Sequence, residues 1–143
     1  MKTLARWGDG IVGQTKPDAE LSSKHSRLYM YKRNVILNGV RLQAGGIGGV
    51  WTEPAHRGEG HARDLMTQAI AFLTQKWKSD LGILFSLDNT LSFYQGLGWE
   101  YGAFPVTIQQ PSGVVPLPKD ITCFIYPINP VSSGPLVIEG LPW

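Results

Sequence analysis

The residues best suited to chemistry lie in one glycine-rich segment, which reads Arg57-Gly58-Glu59-Gly60-His61-Ala62. A short apolar segment precedes it, and a sequence with helical periodicity follows it. The first N–H groups of a helix lack partners within the helix, and the aligned peptide dipoles add partial positive charge there. Gly58 and Gly60 would let an anion approach the backbone, and Arg57 would add a cation beside it. The spacing therefore predicts a phosphate-binding turn, although a plain connecting loop can have the same composition.

Two common phosphate-binding patterns do not match this segment. A P-loop requires a Gly-Lys-Ser/Thr sequence, and none follows these glycines. The dinucleotide fingerprint has a different glycine spacing and needs a βαβ unit with a following acidic residue, which is not evident here. The turn is therefore of neither type.

The elements on either side of the turn would position it. The apolar segment from Ile47 to Trp51 predicts a strand that ends in a turn at Pro54. A second apolar run, from Leu81 to Ser86, predicts a buried strand parallel to the first. Between them, apolar residues recur at three- and four-residue spacing and predict an amphipathic helix with the face Ala62, Leu65, Met66, Ala69, Ile70, Leu73 and Trp77.

The region before the turn contains a hairpin signal and a run of glycines. Asn38-Gly39 separates two apolar triplets, and a two-residue type I′ turn needs positive φ at both of its centres. The glycines at positions 45, 46, 48 and 49 then interrupt the entry to the central strand. They indicate either a bulge or bend, or a place where a ligand approaches the backbone closely. Both interpretations stay open.

The second half of the chain alternates apolar runs with turns. Residues 88–90 are expected to cap a short helix from Leu91 to Gly96. The run from Ile121 to Tyr126 predicts a strand. Residues 127–143 contain three prolines and predict an extended C-terminal tail. Residues 1–24 form a poorly defined N-terminal segment with a turn at 8–10.

Composition narrows the class of protein. With 143 residues, the chain is expected to form a single domain spanning residues 1–143. Its net charge of +2 gives no reason to expect nucleic acid or a membrane surface as a partner. Cys123 is the only cysteine, so no intrachain disulfide or cysteine zinc site can form, and no metal site is predicted. Without a signal-peptide pattern or an apolar run of membrane-spanning length, a cytoplasmic location is expected.

Two motifs resemble one known family. Arg57-x-x-Gly60-x-Ala62 resembles the R/Q-x-x-G-x-G/A signature of the GCN5-related N-acetyltransferases (GNATs). The segment from Phe93 to Trp99 resembles the Y-x-x-x-G-F/W segment of the same family, in the same order along the chain. The resemblance implies an α/β (α+β) fold, with a mixed central sheet splayed at its middle, flanking helices and a shortened N-terminal region. It also implies that acetyl-coenzyme A lies in the opening of the sheet.

The resemblance assigns roles to individual residues. Tyr94 would contact the cofactor and act as general acid toward the thiolate leaving group, a suitable role for a phenol with a pKa of about 10. A backbone N–H of the central strand would polarise the thioester carbonyl. Asn89 stands near the place where the family often has a cofactor-contacting Asn, although Leu87 occupies the expected position. The backbone of the central strand would bind the pantetheine arm, and the turn would bind the pyrophosphate, through Val50, Trp51, Arg57, Gly58, Glu59, Gly60, His61 and Ala62.

The general base is less well defined by the sequence. Many family members use a Glu on the central strand, and the corresponding region here is glycine-rich without a carboxylate. Glu53 follows that strand and is the candidate base, with a water chain or backbone carbonyls as alternatives. His56 and His61 flank the turn and are expected to be solvent-exposed loop residues, and His25 has no evident partner.

The C-terminal tail resembles that of the aminoglycoside 2′-N-acetyltransferases, which also end in an acidic residue, Gly and a terminal Trp. By this resemblance Glu139 and Trp143 are acceptor-site candidates, and the activity would be transfer to a primary amine of a small molecule, with antibiotic resistance as its outcome. Carboxylates and an aromatic face suit a polycationic sugar. Trp143 could equally hold the tail onto the body.

Alternatives to this activity remain. The chain could acetylate a protein lysine or N-terminus, or it could be a non-catalytic domain that binds acetyl-coenzyme A or a partner. The short segment before the hairpin would leave an open acceptor cleft, and a homodimer is the simplest way to cover it.

Overall fold

The structure, a computed structural model, describes residues 2–3, 11–13, 16–101 and 104–143. The turn predicted at residues 8–10 lies outside these ranges. The secondary-structure elements, in chain order, are β1 (Lys2–Thr3), β2 (Val12–Gly13), β3 (Ala19–Ser22), β4 (Ser26–Leu37), β5 (Val40–Thr52), α1 (His61–Gln75), β6 (Leu81–Leu87), α2 (Leu91–Gly96), β7 (Val106–Gln110), β8 (Gly113–Pro116), β9 (Ile121–Pro127) and β10 (Leu136–Glu139). Short 3₁₀ helices cover Pro54–His56 and Asp88–Thr90.

Eight strands form one mixed sheet, and β1 pairs separately with β2. The order across the large sheet is β8-β7-β10-β4-β5-β6-β9, and β3 pairs with the first half of β4. Within it β5 and β6 are parallel, as are β7 and β10, while the other paired neighbours are antiparallel. The predicted mixed sheet with flanking helices is confirmed.

The hairpin between β4 and β5 forms as the sequence predicts. Leu37 pairs with Val40, and the two residues between them, Asn38 and Gly39, have φ values of 49° and 80°. Positive φ at both centres is the geometry of a type I′ turn, whose twist matches that of the two strands. This turn sets the register of the two longest strands in the protein.

The sheet is buried on both faces. Helix α1 covers one face with the apolar positions predicted from its periodicity, of which Leu65, Met66, Ala69 and Leu73 are fully buried. The opposite face carries a second core, built mostly by the strands themselves, which includes Val35, Phe85, Ile138 and the tail residue Trp143. The C-terminal tail is extended, as predicted. Part of it forms β10, which lies in the sheet between β4 and β7. Within the described residues, no helix combines the length and apolar character needed to cross a lipid bilayer.

The glycine run of β5 has two structural causes. A side chain at Gly45 would collide with Leu73 of α1, and a Cβ at Gly46 would lie 2.5 Å from the ring of Trp143. Gly49 has a φ of 62° at a β-bulge, where β5 uses one residue more than β4. The bulge interpretation is confirmed at Gly49, whereas at Gly45 and Gly46 the close neighbours are the protein's own side chains rather than open space for a ligand.

One local prediction is wrong. Residues 88–90 do not cap α2 through a side chain, because the N-cap residue Thr90 makes no capping hydrogen bond. The hydroxyl of Thr90 instead donates to the carbonyl oxygen of Leu87 at 2.7 Å, and it lies at the same distance from Ser86 Oγ. The segment 1–24, which the sequence defines poorly, contributes β1, β2 and β3, and these strands of two to four residues are too short to give a clear alternating pattern.

Candidate active site

The sheet opens where β5 and β6 separate. The two strands pair in parallel only from Ala44 with Leu81 to Ile47 with Leu84. Beyond these residues β5 continues to Thr52 and β6 to Leu87 without pairing to each other. The bulge at Gly49 lies just past the last pair, and a bulge bends the strand that carries it. The edge of β5 facing β6 therefore has no strand partner in its last five residues, among the part of the chain described here.

A cleft of about 730 Å³ lies at this opening. Its volume is within the range of small-molecule and cofactor sites. Three elements line it: the end of β5, the turn with the first residues of α1, and α2. The lining residues are Val50, Trp51, Thr52, His56, Arg57, Gly58, Glu59, Gly60, His61, Ala62, Arg63, Phe93, Gly96 and Leu97. The predicted pantetheine strand and pyrophosphate turn thus share one cleft.

The N-terminus of α1 is open toward this cleft. Gly60 occupies the N-cap position with a φ of 88°, and no side chain caps the helix. The first backbone hydrogen bond of the helix runs from the N–H of Asp64 to the carbonyl oxygen of Gly60, at 3.0 Å. The N–H groups of residues 61–63 therefore have no acceptor within the described residues. Gly58, with a φ of 81°, has no atom within 4 Å of the place where a Cβ would stand. The unpaired N–H groups and the open space at Gly58 together suit the binding of an anion.

Two arginines add positive charge to the turn. Arg57 donates from Nε to the carbonyl oxygen of Thr52 at 3.1 Å, which holds it beside the end of β5. Arg63 folds back over the turn, so that its Nη2 lies 2.8 Å from the position a Cβ of Gly60 would take. Neither guanidinium forms an ion pair with a described residue. Arg63 was not predicted from the sequence as a site residue. Its position in the first turn of the helix, directly after the glycines, was the signal that could have indicated a phosphate contact.

Glu59 is the acidic residue of the turn and would oppose a bound anion. Its Oε1 accepts hydrogen bonds from His61 Nε2 at 2.8 Å and from His56 Nδ1 at 3.1 Å. The bond from His61 and then that from His56 lower the pKa of Glu59. The two histidines are half-buried and line the cleft, so the expectation that they are solvent-exposed loop residues is wrong.

Glu53, the predicted base, is paired with a histidine. Its Oε2 accepts from His25 Nδ1 at 3.1 Å, and 45% of its side chain is exposed. The His25 ring stacks on that of His56 with a centroid separation of 3.4 Å. The expectation that His25 has no partner is therefore wrong. Glu53 does not line the cleft itself but is connected to its wall through the two stacked rings.

Neither Tyr94 nor Asn89 lines the cleft. Tyr94 is 7% exposed, and its ring contacts Phe93 and Phe124 at centroid distances of 5.0 and 5.3 Å. Phe93 and Gly96 of α2 and Leu97 directly after it line the cleft instead. Asn89 is exposed in the 3₁₀ helix before α2 and is not part of the lining. The roles assigned to Tyr94 and Asn89 by resemblance stay predictions.

The predicted acceptor residues lie on different faces of the sheet, Glu139 on the side of α1 and Trp143 on the opposite side. Glu139 forms an ion pair with Arg41 at 3.3 Å. Trp143 is 2% exposed and lies against Gly46 of β5 and Phe85 of β6. The structure brings neither side chain into the cleft. The buried indole agrees with the alternative that Trp143 holds the tail onto the body.

Residues 23–102 match the family described as the acetyltransferase (GNAT) domain. This region is more than half of the chain, and the chain therefore belongs to the GNAT family. No curated protein matches the sequence.

Solved structures share the fold. The chain is similar to the GNAT family N-acetyltransferase YhbS from Escherichia coli, solved with CoA, with a TM-score of 0.55 and 16% identity over 82% of this chain and 65% of that one. It is also similar to a spermidine N-acetyltransferase chimera of SpeG from Vibrio cholerae and hSSAT, with a TM-score of 0.52 and 13% identity over 73% of this chain and 59% of that one. At these identities the likeness concerns the fold alone.

The chain is shorter than the proteins it resembles. It shares 32% identity with a probable N-acyltransferase from Enterococcus faecalis over 54% of its own residues, at a TM-score of 0.48. That match spans 19% of the other chain, and the match to YhbS spans 65%.

Proposed function

We propose that this protein is an N-acetyltransferase that uses acetyl-coenzyme A and acts on a primary amine of a small molecule. The observation that carries the proposal is the cleft itself. In a chain of the GNAT family, an opening between two parallel strands leads directly to an uncapped helix N-terminus with two arginines.

The residues of the cleft fit the shape and charge of the coenzyme. Its pyrophosphate would accept from the N–H groups at the start of α1 and lie beside Arg57 and Arg63. Its pantetheine arm carries amides, which suit the unpaired backbone edge of β5 at Val50 and Trp51. The coenzyme supplies an acetyl thioester, and the side chains of the protein orient it and move protons.

The chemistry of the proposal is a direct transfer. The amine nitrogen forms a bond to the acetyl carbon while the carbon–sulfur bond breaks. A backbone N–H of β5 stabilises the charge that develops on the carbonyl oxygen. Tyr94 would give its phenolic proton to the departing sulfur, and Glu53, held by His25, would accept the proton that the amine loses. Neither side chain lines the cleft in this structure, so both roles require side-chain movement when the substrates bind.

The identity of the amine that accepts the acetyl group is the more specific part of the proposal. Resemblance of the tail to aminoglycoside 2′-N-acetyltransferases makes aminoglycosides the first amines to test. Because Glu139 is paired with Arg41, it would have to exchange that partner for a substrate ammonium group. Polyamines and lysine-containing peptides form the comparison panel.

The experiment combines calorimetric titration with coenzyme A and an assay of thiol release from acetyl-coenzyme A with each amine. We expect micromolar binding and turnover with at least one amine. Arg57→Ala should weaken coenzyme binding about tenfold, because it removes one charge-assisted contact. Lys76→Ala is the control, since it removes an exposed cation at the other end of α1, about 22 Å away. Absence of coenzyme binding, or equal binding by all three proteins, would overturn the assignment of the turn.

A further inference from the structure

The three histidines of the chain all lie together at the turn. The sequence contains only His25, His56 and His61, and the structure gathers them with Glu53 and Glu59 into one cluster. The ring of His25 is 3.4 Å from that of His56 and 5.2 Å from that of His61, measured between centroids. Neither the predicted anion site nor the predicted proton transfers require such a convergence of imidazoles.

Two groups of three side chains in this cluster have their ligand atoms within 4.8 Å of one another. One group is His25, Glu53 and His56, and the other is His56, Glu59 and His61. Imidazole nitrogens and carboxylate oxygens are ligands of Zn²⁺ and of neighbouring divalent transition metals. Because His56 belongs to both groups and offers one ring nitrogen to an ion, the groups are alternatives.

Ring orientation distinguishes the two groups. The lone pair of an imidazole nitrogen lies in the plane of the ring. The His25 and His56 rings are stacked with only 11° between their planes, so their lone pairs cannot point to a common ion between the rings. The His56 and His61 planes are inclined at 75°, which allows two in-plane lone pairs to converge. The second group is therefore the chelating one, and the stacked His25 with its partner Glu53 supports the His56 ring.

The distances in this second group are close to those of a coordination shell. Glu59 Oε1 lies 3.1 Å from His56 Nδ1 and 2.8 Å from His61 Nε2. In a tetrahedral zinc site with bonds of about 2.0–2.1 Å, ligand atoms lie about 3.3 Å apart. Small side-chain movements would therefore convert the hydrogen-bonded arrangement into coordination of an ion.

We propose that His56, Glu59 and His61 form a three-ligand site for a divalent transition metal of the Zn²⁺ class, with its remaining coordination position open to the cleft. All three residues line the cleft, so water or a ligand in the cleft can occupy that position. Two histidines and one carboxylate with an open position form a donor set that holds Zn²⁺ in other proteins. The ion would also compensate the negative charge of Glu59 beside the two arginines. The site is independent of the proposed acetyl transfer, since its ligands are defined without the coenzyme.

The test uses the full chain without a polyhistidine tag and without coenzyme. Zinc chloride is titrated calorimetrically, and Co²⁺ is added in parallel because its visible absorption reports a tetrahedral environment. We expect one ion per chain with micromolar or tighter affinity. Each variant is first compared with the wild type by circular dichroism, so that misfolding is not read as loss of a ligand.

A matched pair of variants separates the two groups. Glu59→Gln and Glu53→Gln make the same change, and only Glu59 is a ligand in the proposed site. We expect Glu59→Gln and His61→Ala to weaken Zn²⁺ binding at least tenfold, and Glu53→Gln to change it less than threefold. The proposal is overturned if the wild type binds no Zn²⁺, which would leave a hydrogen-bonded cluster only. Loss of binding in Glu53→Gln to the same extent as in Glu59→Gln would also overturn it.

Discussion

Trp143 Nε1 donates a hydrogen bond to the carbonyl oxygen of Ile47, at a distance of 3.0 Å and in a buried environment. Ile47 is the last residue of β5 that pairs with β6. The final residue of the chain therefore supports the sheet from one face at the point where the cleft opens on the other. Gly46 provides the space for the indole ring.

Trp143→Ala should destabilise the fold by about 3–5 kcal/mol, the usual cost of emptying a site filled by a large aromatic side chain. It would also leave the Ile47 carbonyl without its indole donor. Chemical denaturation followed by circular dichroism measures the change. Trp51→Ala is the control, because Trp51 is 41% exposed and its loss should cost much less. Equal destabilisation by the two variants would contradict the support role.

Gly46→Ala should destabilise the wild type by about 1–3 kcal/mol, because the new Cβ would lie 2.5 Å from the Trp143 ring. In the Trp143→Ala background the collision partner is gone, and the same change should be nearly neutral. A double-mutant cycle from denaturation curves measures this coupling. Additive effects would show that the ring and the glycine do not depend on each other.

The local parts of this fold could be predicted from the sequence. Asn38-Gly39 fixes a type I′ turn, the periodic apolar face fixes α1, and the glycines beyond Pro54 mark the helix start. Each of these signals depends on neighbouring residues, so no tertiary information is needed. The β5–β6 opening could be expected from family resemblance and was not derivable from either strand alone.

The long-range parts of the site could not be predicted in the same way. His25 meets Glu53 only because β4 and β5 pair over their full length and because the bulge adds a residue to β5. Tyr29 pairs with Gly48, yet Arg27 pairs with Trp51. The hairpin turn alone gives the first of these pairs, and the position of the bulge decides the second. The contact of Trp143 with Gly46 likewise joins residues that lie far apart in the sequence.

Arg63→Gln should weaken coenzyme A binding about tenfold and should leave binding of pantetheine unchanged. Gln preserves helix propensity, so the change removes the charge without disturbing α1. Pantetheine lacks the pyrophosphate, and the arginine should not contribute to its affinity. Calorimetry with both ligands gives the two ratios, and Lys76→Gln is the control, because it also replaces a cation by Gln but at the far end of α1, away from the cleft. An equal loss for pantetheine would indicate a general disturbance of the cleft rather than a phosphate contact.

Tyr94→Phe should reduce kcat by about 10²–10⁴, the range for loss of a general acid, and should leave the Kd of coenzyme A unchanged. The substitution retains the ring and therefore its contacts with Phe93 and Phe124. Steady-state kinetics with the best amine acceptor, together with calorimetry, separates the two quantities. If kcat stays within a factor of about three, Tyr94 has a packing role only. Phe124→Leu is a useful control, since it alters the packing around the Tyr94 ring without removing its hydroxyl.

Cys123 should be unreactive toward thiol reagents in the folded protein. Burial raises the pKa of its thiol well above the usual range, because the thiolate would lose its hydration. An unfolded-state thiol ionises near pH 8.5. Since the native pKa is the higher one, the associated stability is fully present below that pH and decreases as the pH rises above it. Alkylation with iodoacetamide at pH 8, followed by mass spectrometry, should be slow in the folded protein and complete in denaturant. Rapid modification under native conditions would mean that β9 opens readily, and the Cys123→Ala variant would then be needed for any assay that detects released thiol.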